Sequence, residues 1–360
     1  MAGVLDFALL RAARARAQSA GAPTRLFDID RIAEGVYLAL AHPAAVLNSN
    51  AAIFVNSEDV LVVDTHSRPS AAAALVAQIR EQITEKPVRF VVNTHFHYDH
   101  SQGMRAYRLL EKPPLVIGTP WTREALRRDG AGIVSNAVSN ALQSAEQHRR
   151  RLPSASPEEQ RYLQRAIEDL EGFAHEMKGY EPVLPEISFT HDMVIHDRAG
   201  DLHLVFRGRG HTAGDLCVFH EPSKTLATGD LVVGFVPGMA DGYPMEWPQT
   251  LGRLAELPFQ SVLPGHGPVQ PTRARFHQQK AYIEELCERA RAARAAGRSL
   301  EAAQREITPA TLRSFQSGAF GDYLAASEAR YRLRPSGANI GEQIAAAVRA
   351  NVAAAYRAAG

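Results

Sequence analysis

Cysteine is almost missing from this chain: 360 residues contain two, Cys217 and Cys287. A disulfide framework is therefore excluded, and neither a thiolate metal site nor a redox pair is expected. Cys217 lies in the apolar run Leu216-Cys217-Val218-Phe219 and reads as a small buried hydrophobe. Long hydrophobic runs are also lacking. No stretch of about 18 apolar residues occurs, so no membrane span is expected. Charge of one sign is not in excess either, since 40 Lys and Arg face 39 Asp and Glu, a net charge of +1. A nucleic-acid partner would call for a basic surplus, so none is expected. At the N-terminus no basic residue precedes the partly apolar stretch Gly3 to Leu10; arginines follow it instead. That is the wrong order for a secretory signal. Residues 1–28 read as an irregular N-terminal arm, with a degenerate leader as the alternative because residues 17–22 are mostly small. The expected setting is soluble, in the cytoplasm or the periplasm.

What remains is an ordinary globular composition, 45% hydrophobic and 22% charged. The length exceeds the usual single-domain size. Short apolar runs at 36–40, 52–55, 60–63 and 88–92 predict strands, and Asn56 to Asp59 predicts a hairpin turn. A helix is expected over 70–83, capped by Ser70, with Leu75, Ile79 and Ile83 on one face. Residues 121–182 are polar and helical. Within them Ser156, Pro157 and Glu159 form a helix-start signature. This segment reads as a helical hairpin inserted between β-rich parts, either a packing element or a lid or substrate wall. Strands resume at 202–206, 216–219, 225–227 and 261–263. From about Thr272 the chain is helical again, with Gly297 as a stop and Ser299 as a cap. The expected organisation is an arm over 1–28, a domain over 29–270 carrying the insertion, and a helical extension over 271–360.

The chemistry concentrates in Thr94-His95-Phe96-His97-Tyr98-Asp99-His100, directly after an apolar strand. Neutral imidazole offers a metal a lone pair near neutral pH. Side chains two apart in an extended segment point the same way, so His95 and His97 converge on one ion. Asp99 and His100 can turn towards a second. Three further pieces share the layout of a donor beside glycine at the end of an apolar strand: Gly210-His211-Thr212, Gly229-Asp230 and Gly265-His266-Gly267. Glycine permits the tight turns that let such loops converge. His42, His148, His175, His191, His196, His203, His220 and His277 fall in loops, polar helices or strand alternations and read as ordinary structural residues. His66, in Asp64-Thr65-His66 at a strand end, is intermediate. Asp64 and Asp215 are candidates to hold ligating imidazoles from behind.

These four pieces, HxHxDH at 95–100, GHT at 210–212, GD at 229–230 and GH at 265–266, resemble the metallo-β-lactamase superfamily over roughly residues 30–270. The resemblance implies an α/β fold, the αββα four-layer sandwich, here with a helical insertion and C-terminal helices. It implies His95, His97 and His211 on one metal, Asp99, His100 and His266 on a second, and Asp230 bridging both. Two zinc ions per chain suit that set, with iron or manganese as alternatives. Such a pair would share a hydroxide for attack on a carbonyl or phosphoryl centre, with Asp99 orienting it.

The expected activity is hydrolysis of a small ester, thioester or lactone. Dedicated β-lactamases of the family usually carry cysteine or a non-ligand where Asp230 stands, so β-lactam hydrolysis is the alternative, as a main or side activity. A second alternative is a persulfide dioxygenase holding one iron on His95, His211 and Asp230. The partner is a small molecule, and the added helices offer a surface for a homodimer or a lid. Tyr243 and Trp247 either line a pocket or pack the following helix.

Overall fold

The chain divides into two units, one ending at Ser188 and one running from Phe189 through Tyr331 and then Asn339–Gly360. The computed structural model describes residues 26–42, 49–331 and 339–360. The expected N-terminal arm therefore lies, up to residue 25, outside the described residues.

In the first unit β1 (Phe27–Ala33), β2 (Val36–Ala41), β3 (Ala51–Val55) and β4 (Val60–Val63) are successive antiparallel neighbours. The turn between β3 and β4 closes through Asn56, whose N–H donates to the Asp59 carbonyl at 2.8 Å. Helix α1 (Pro69–Gln82) crosses over to β5 (Val88–Val92), which pairs parallel to β4. Strands buried on both faces read as unbroken apolar runs, as Val60–Val63 does. Two short helices follow, α2 (Tyr98–Ser101) and α3 (Met104–Arg108), and then β6 (Leu115–Gly118), parallel to β5. Next come α4 (Pro120–Arg151) and α5 (Pro157–Glu176), and the two-residue β7 (Ile187–Ser188) returns beside β6. The seven strands form one sheet in sequence order.

Helix α1 does not start where the sequence suggests. Arg68 is its cap position and Pro69 its first residue, because proline's fixed φ suits the first turn and its missing N–H is not needed there. Ser70 serves another purpose. Its N–H and its hydroxyl both donate to the Glu176 carboxylate, each at 2.6 Å. Arg68 pairs with Asp169 close by. A carboxylate at a helix N-terminus complements its positive end, so α5 is anchored to α1 by charge. In the insertion, Ser156 caps α5 as expected, its Oγ accepting from Glu159 N–H at 3.3 Å. Ile167, Leu170 and Phe173 of α5 pack against Val134, Ala141 and Ala145 of α4.

The second unit holds β8 (Asp192–Ile195), β9 (Leu202–Phe206), β10 (Leu216–His220), β11 (Thr225–Gly229) and β12 (Ser261–Pro264), in the order β12-β11-β10-β9-β8. β11 and β12 are parallel and the other neighbours antiparallel. Its helices are α6 (Trp247–Leu254), α7 (Ala274–Ala295), α8 (Leu300–Glu306), α9 (Arg313–Gln316), α10 (Phe320–Tyr331) and α11 (Ile340–Ala358). Gly297 stops α7 with φ +68°, and Ser299 caps α8 through Ala302 N–H at 3.2 Å. Ile344, Val348 and Val352 of α11 join Phe276, Tyr282 and Leu286 of α7 and Val262 of β12 in one core. Asn351, buried within it, donates to the Pro237 carbonyl at 2.8 Å and meets the Tyr282 hydroxyl at 2.9 Å. Among the described residues no helix is long and apolar enough to cross a membrane.

Candidate metal centre

In the first unit the donors lie where β5 runs out into α2. Two chain segments interlock there. Asp64 and His66, just past β4, both adopt positive φ, 65° and 68°. This turns Thr65 so that its N–H and its hydroxyl donate to the His100 carbonyl, each at 3.0 Å. Gly103 N–H donates to the His66 carbonyl at 2.9 Å. The approach is so close that a Cβ at position 103 would stand 1.7 Å from the Thr65 carbonyl oxygen, so only glycine fits.

Asp64 is the hub of this corner and is 2% exposed. Its carboxylate accepts from Thr94 N–H at 2.9 Å and from the Thr94 hydroxyl at 2.8 Å. It also accepts from His100 Nδ1 at 2.7 Å. These contacts fix tautomers. Because the Thr94 hydroxyl spends its hydrogen on Asp64, its oxygen accepts from His95 Nδ1, 2.9 Å away. In both His95 and His100 the proton is therefore on Nδ1, and Nε2 keeps its lone pair. His95 Nε2 lies 3.1 Å from His97 Nδ1. Two nitrogens on one tetrahedral zinc stand roughly 3.3 Å apart, so this spacing suits a shared ion. Asp99 Oδ2 lies 3.6 Å from His100 Nε2. The Asp99 main chain is held by Ser49, whose hydroxyl donates to the Asp99 carbonyl at 2.6 Å.

The second unit brings together the other three sequence-predicted residues. Asp230 follows Gly229, which ends β11 at φ +51°. Its Oδ2 lies 3.6 Å from His211 Nε2 and 3.4 Å from His266 Nε2. His211 Nδ1 donates to the Gly238 carbonyl at 3.0 Å, which again leaves Nε2 as the donor atom. The loop bearing His266 is tied by Gly234 N–H to the His266 carbonyl at 2.7 Å, and Gly267 turns at φ +85°.

Three further residues singled out in the sequence take these positions. Asp215 accepts from Thr212 N–H and hydroxyl at 2.9 and 2.7 Å, shaping the His211 loop. Trp247 is fully buried rather than lining a pocket. Its Nε1 donates to the Leu231 carbonyl at 3.2 Å, and its ring meets the His211 ring edge-on at 5.6 Å. His66 is fully buried. It stacks on Phe27 and donates from Nδ1 to the Ser49 carbonyl at 3.0 Å.

Asp64→Asn tests the role of the hub. Asparagine tolerates the left-handed backbone but cannot hold His100 and Thr94 with a full charge. Metal affinity is expected to fall about 10- to 100-fold, the usual effect of losing a group behind a ligand. A zinc titration against a competing chelator measures it, and an unchanged affinity would reduce Asp64 to a backbone clamp.

A family model for the metallo-β-lactamase superfamily matches residues 44–266, more than half of the chain. Among solved structures the chain is similar to the metallo-β-lactamase from Pontibacter korlensis, at 19% identity and TM-score 0.52, over 72% of this chain and 99% of that one. It is similar also to the metallo-β-lactamase from Erythrobacter litoralis, at 18% identity and TM-score 0.52, over 72% of this chain and 97% of the other. At these identities the likeness speaks for the fold, which is the one expected from the sequence, with the helical insertion and C-terminal helices added. Histidine and aspartate groups able to bind metal, in a superfamily made up mostly of metallo-hydrolases, support a metal-dependent hydrolase in general terms. The match over 44–266 carries the assignment: this chain belongs to the metallo-β-lactamase superfamily.

Proposed function

We propose that the protein hydrolyses a small ester, thioester or lactone with two zinc ions, held by His95, His97 and His211 on one side and by Asp99, His100 and His266 on the other, Asp230 serving both. One observation carries this reading. His95, His100 and His211 each tie Nδ1 to an oxygen, so in each the lone pair is on Nε2. All three share the arrangement that lets Nε2 bind a metal. When bound, the ions acidify a water and stabilise charge developing on the carbonyl oxygen.

The chain's own groups do the rest. Asp99, anchored through Ser49, takes the proton from the attacking water at a carboxylate oxygen. The water oxygen bonds to the carbonyl carbon, the bond to the leaving oxygen or sulfur breaks, and Asp99 returns the proton to that atom. No serine or cysteine nucleophile is required. Asp230, where dedicated β-lactamases of the family usually resemble a different pattern, favours an acyl substrate other than a β-lactam. The near-zero net charge gives no support to a polyanionic substrate.

Elemental mass spectrometry on protein purified without added metal tests the proposal, followed by a panel of thioesters, esters, lactones and β-lactams. About two zinc ions per chain with turnover of an acyl compound is the expected result. One iron per chain, with oxygen consumed in the presence of a persulfide, would replace this reading with the dioxygenase.

A further inference from the structure

The two helices of the insertion do not close fully on each other. Between them is a hollow of about 120 Å³, bounded by Ala137 and Ala141 of α4, Leu170 and Phe173 of α5, and Tyr98. On either side of it the helices are well packed, by Val134 and Ala145 on α4 and by Ile167 on α5 and Met177 just past its end. The gap therefore comes from particular residues. Ala137 and Ala141, one turn apart, leave space that a larger side chain would fill. A void of this size destabilises a fold that has no use for it. Ser144 and the exposed Asn140 add polar groups to the mostly apolar lining.

Tyr98 links this hollow to the chemistry. It sits between His97 and Asp99 in the chain and begins α2, with its ring edge-on to Phe173 at 6.4 Å. Neighbouring Cα atoms are about 3.8 Å apart, so the backbone of this wall residue is continuous with that of His97 and Asp99 on either side.

We propose that this hollow binds the apolar acyl group of the substrate, and that the insertion thereby sets chain-length preference. The proposal rests on the hydrolase reading above. An apolar cavity of roughly 150 Å³ accepts benzene, so this one suits an unbranched or once-branched group of about four carbons. The substrate class is thus a short-chain acyl ester or thioester, not an acetyl or a long fatty acyl compound.

The test uses the zinc-loaded full chain and N-acetylcysteamine thioesters with acetyl, butanoyl and decanoyl groups. Each buried methylene contributes about three- to fourfold, so kcat/KM should rise about tenfold from acetyl to butanoyl and gain nothing further at decanoyl. Ala141→Phe, which fills the hollow, should abolish the butanoyl preference; Ala137→Leu does the same job if the first variant folds poorly. Leu142→Gln, on an exposed residue outside the hollow, should keep it. Binding is read separately, by fluorine relaxation of 4,4,4-trifluorobutan-1-ol, expected to be faster with the wild type and not with Ala141→Phe. A flat chain-length series, or a preference that survives both filling variants, would overturn the proposal. If no thioester, ester or lactone turns over, the hydrolase reading fails, and the acyl-pocket proposal falls with it. The alcohol probe then still decides whether the hollow is a ligand site at all.

Discussion

Asparagine at position 230 is expected to lower kcat/KM at least about a thousandfold while the protein still folds. The carboxylate stands between His211 and His266, its Oδ2 within 3.6 Å of both Nε2 atoms. Asparagine keeps the size and removes the negative charge and one oxygen. Losing about 4 kcal/mol of charge stabilisation corresponds to that factor. Metal content at stoichiometric zinc should drop below two per chain, as read by elemental mass spectrometry. Thermal unfolding of the metal-free variant separates this from damage to the fold, and should shift little. A variant with full metal content and wild-type rate would remove Asp230 from the site.

Acid should weaken the fold through His66 more than through any surface histidine. The ring is fully buried, with Nδ1–H on the Ser49 carbonyl and Nε2 enclosed without a hydrogen-bond partner. Protonation would place a charge on that nitrogen with nothing to receive its hydrogen. Burial therefore pushes the pKa down from 6.5 to about 3. Between those values the unfolded chain binds more protons at this residue than the folded chain does. Stability then falls as pH falls, by about 1.4 kcal/mol per unit, starting near pH 6.5 and levelling off near 3. Asparagine, which accepts the left-handed backbone at 66, abolishes this term. Urea unfolding of metal-free wild type and His66→Asn between pH 8 and pH 4.5 compares them. The variant should start less stable, having lost the stacking on Phe27, and should show the shallower slope. Parallel slopes would mean that the ring finds a partner when charged.

The fold and the candidate metal centre are legible in the sequence to different depths. Wholly apolar strands such as Val60–Val63 and Val88–Val92 announce themselves, and the donors beside glycine at strand ends mark the loops that carry them. Helix boundaries with a serine cap, at Ser156 and Ser299, were legible because the cap is a local interaction. β1 was not. Its sequence, Phe27-Asp28-Ile29-Asp30-Arg31-Ile32-Ala33, alternates with charge because it is an edge strand with one face towards solvent. β7 has two residues and β8 four, too few for a periodic signal. Asp64 could be singled out by its position after a strand, but its contacts to Thr94 and His100 span 30 and 36 residues. Nothing local encodes those. The same holds for Trp247 under His211, and for the hollow beside Tyr98, which needs two helices and a loop at once. Tyr98 lies inside the donor-rich stretch, but its contact is with Phe173 on a distant helix and leaves no local signature.

The connection from β6 to β7 leaves and re-enters the sheet on adjacent strands, with Gly118 directly opposite Ser188. Everything between them, α4 and α5 included, is thus a cassette whose two ends are already neighbours. It can lengthen, shorten or be exchanged without altering the order of a single strand or the spacing of any donor residue. The donor loops are different, locked by contacts such as the one that admits only glycine at 103. In an evolving lineage the two would change at different tempos. What the protein does to a bond would be inherited almost unaltered, and which molecules it does it to would be free to drift.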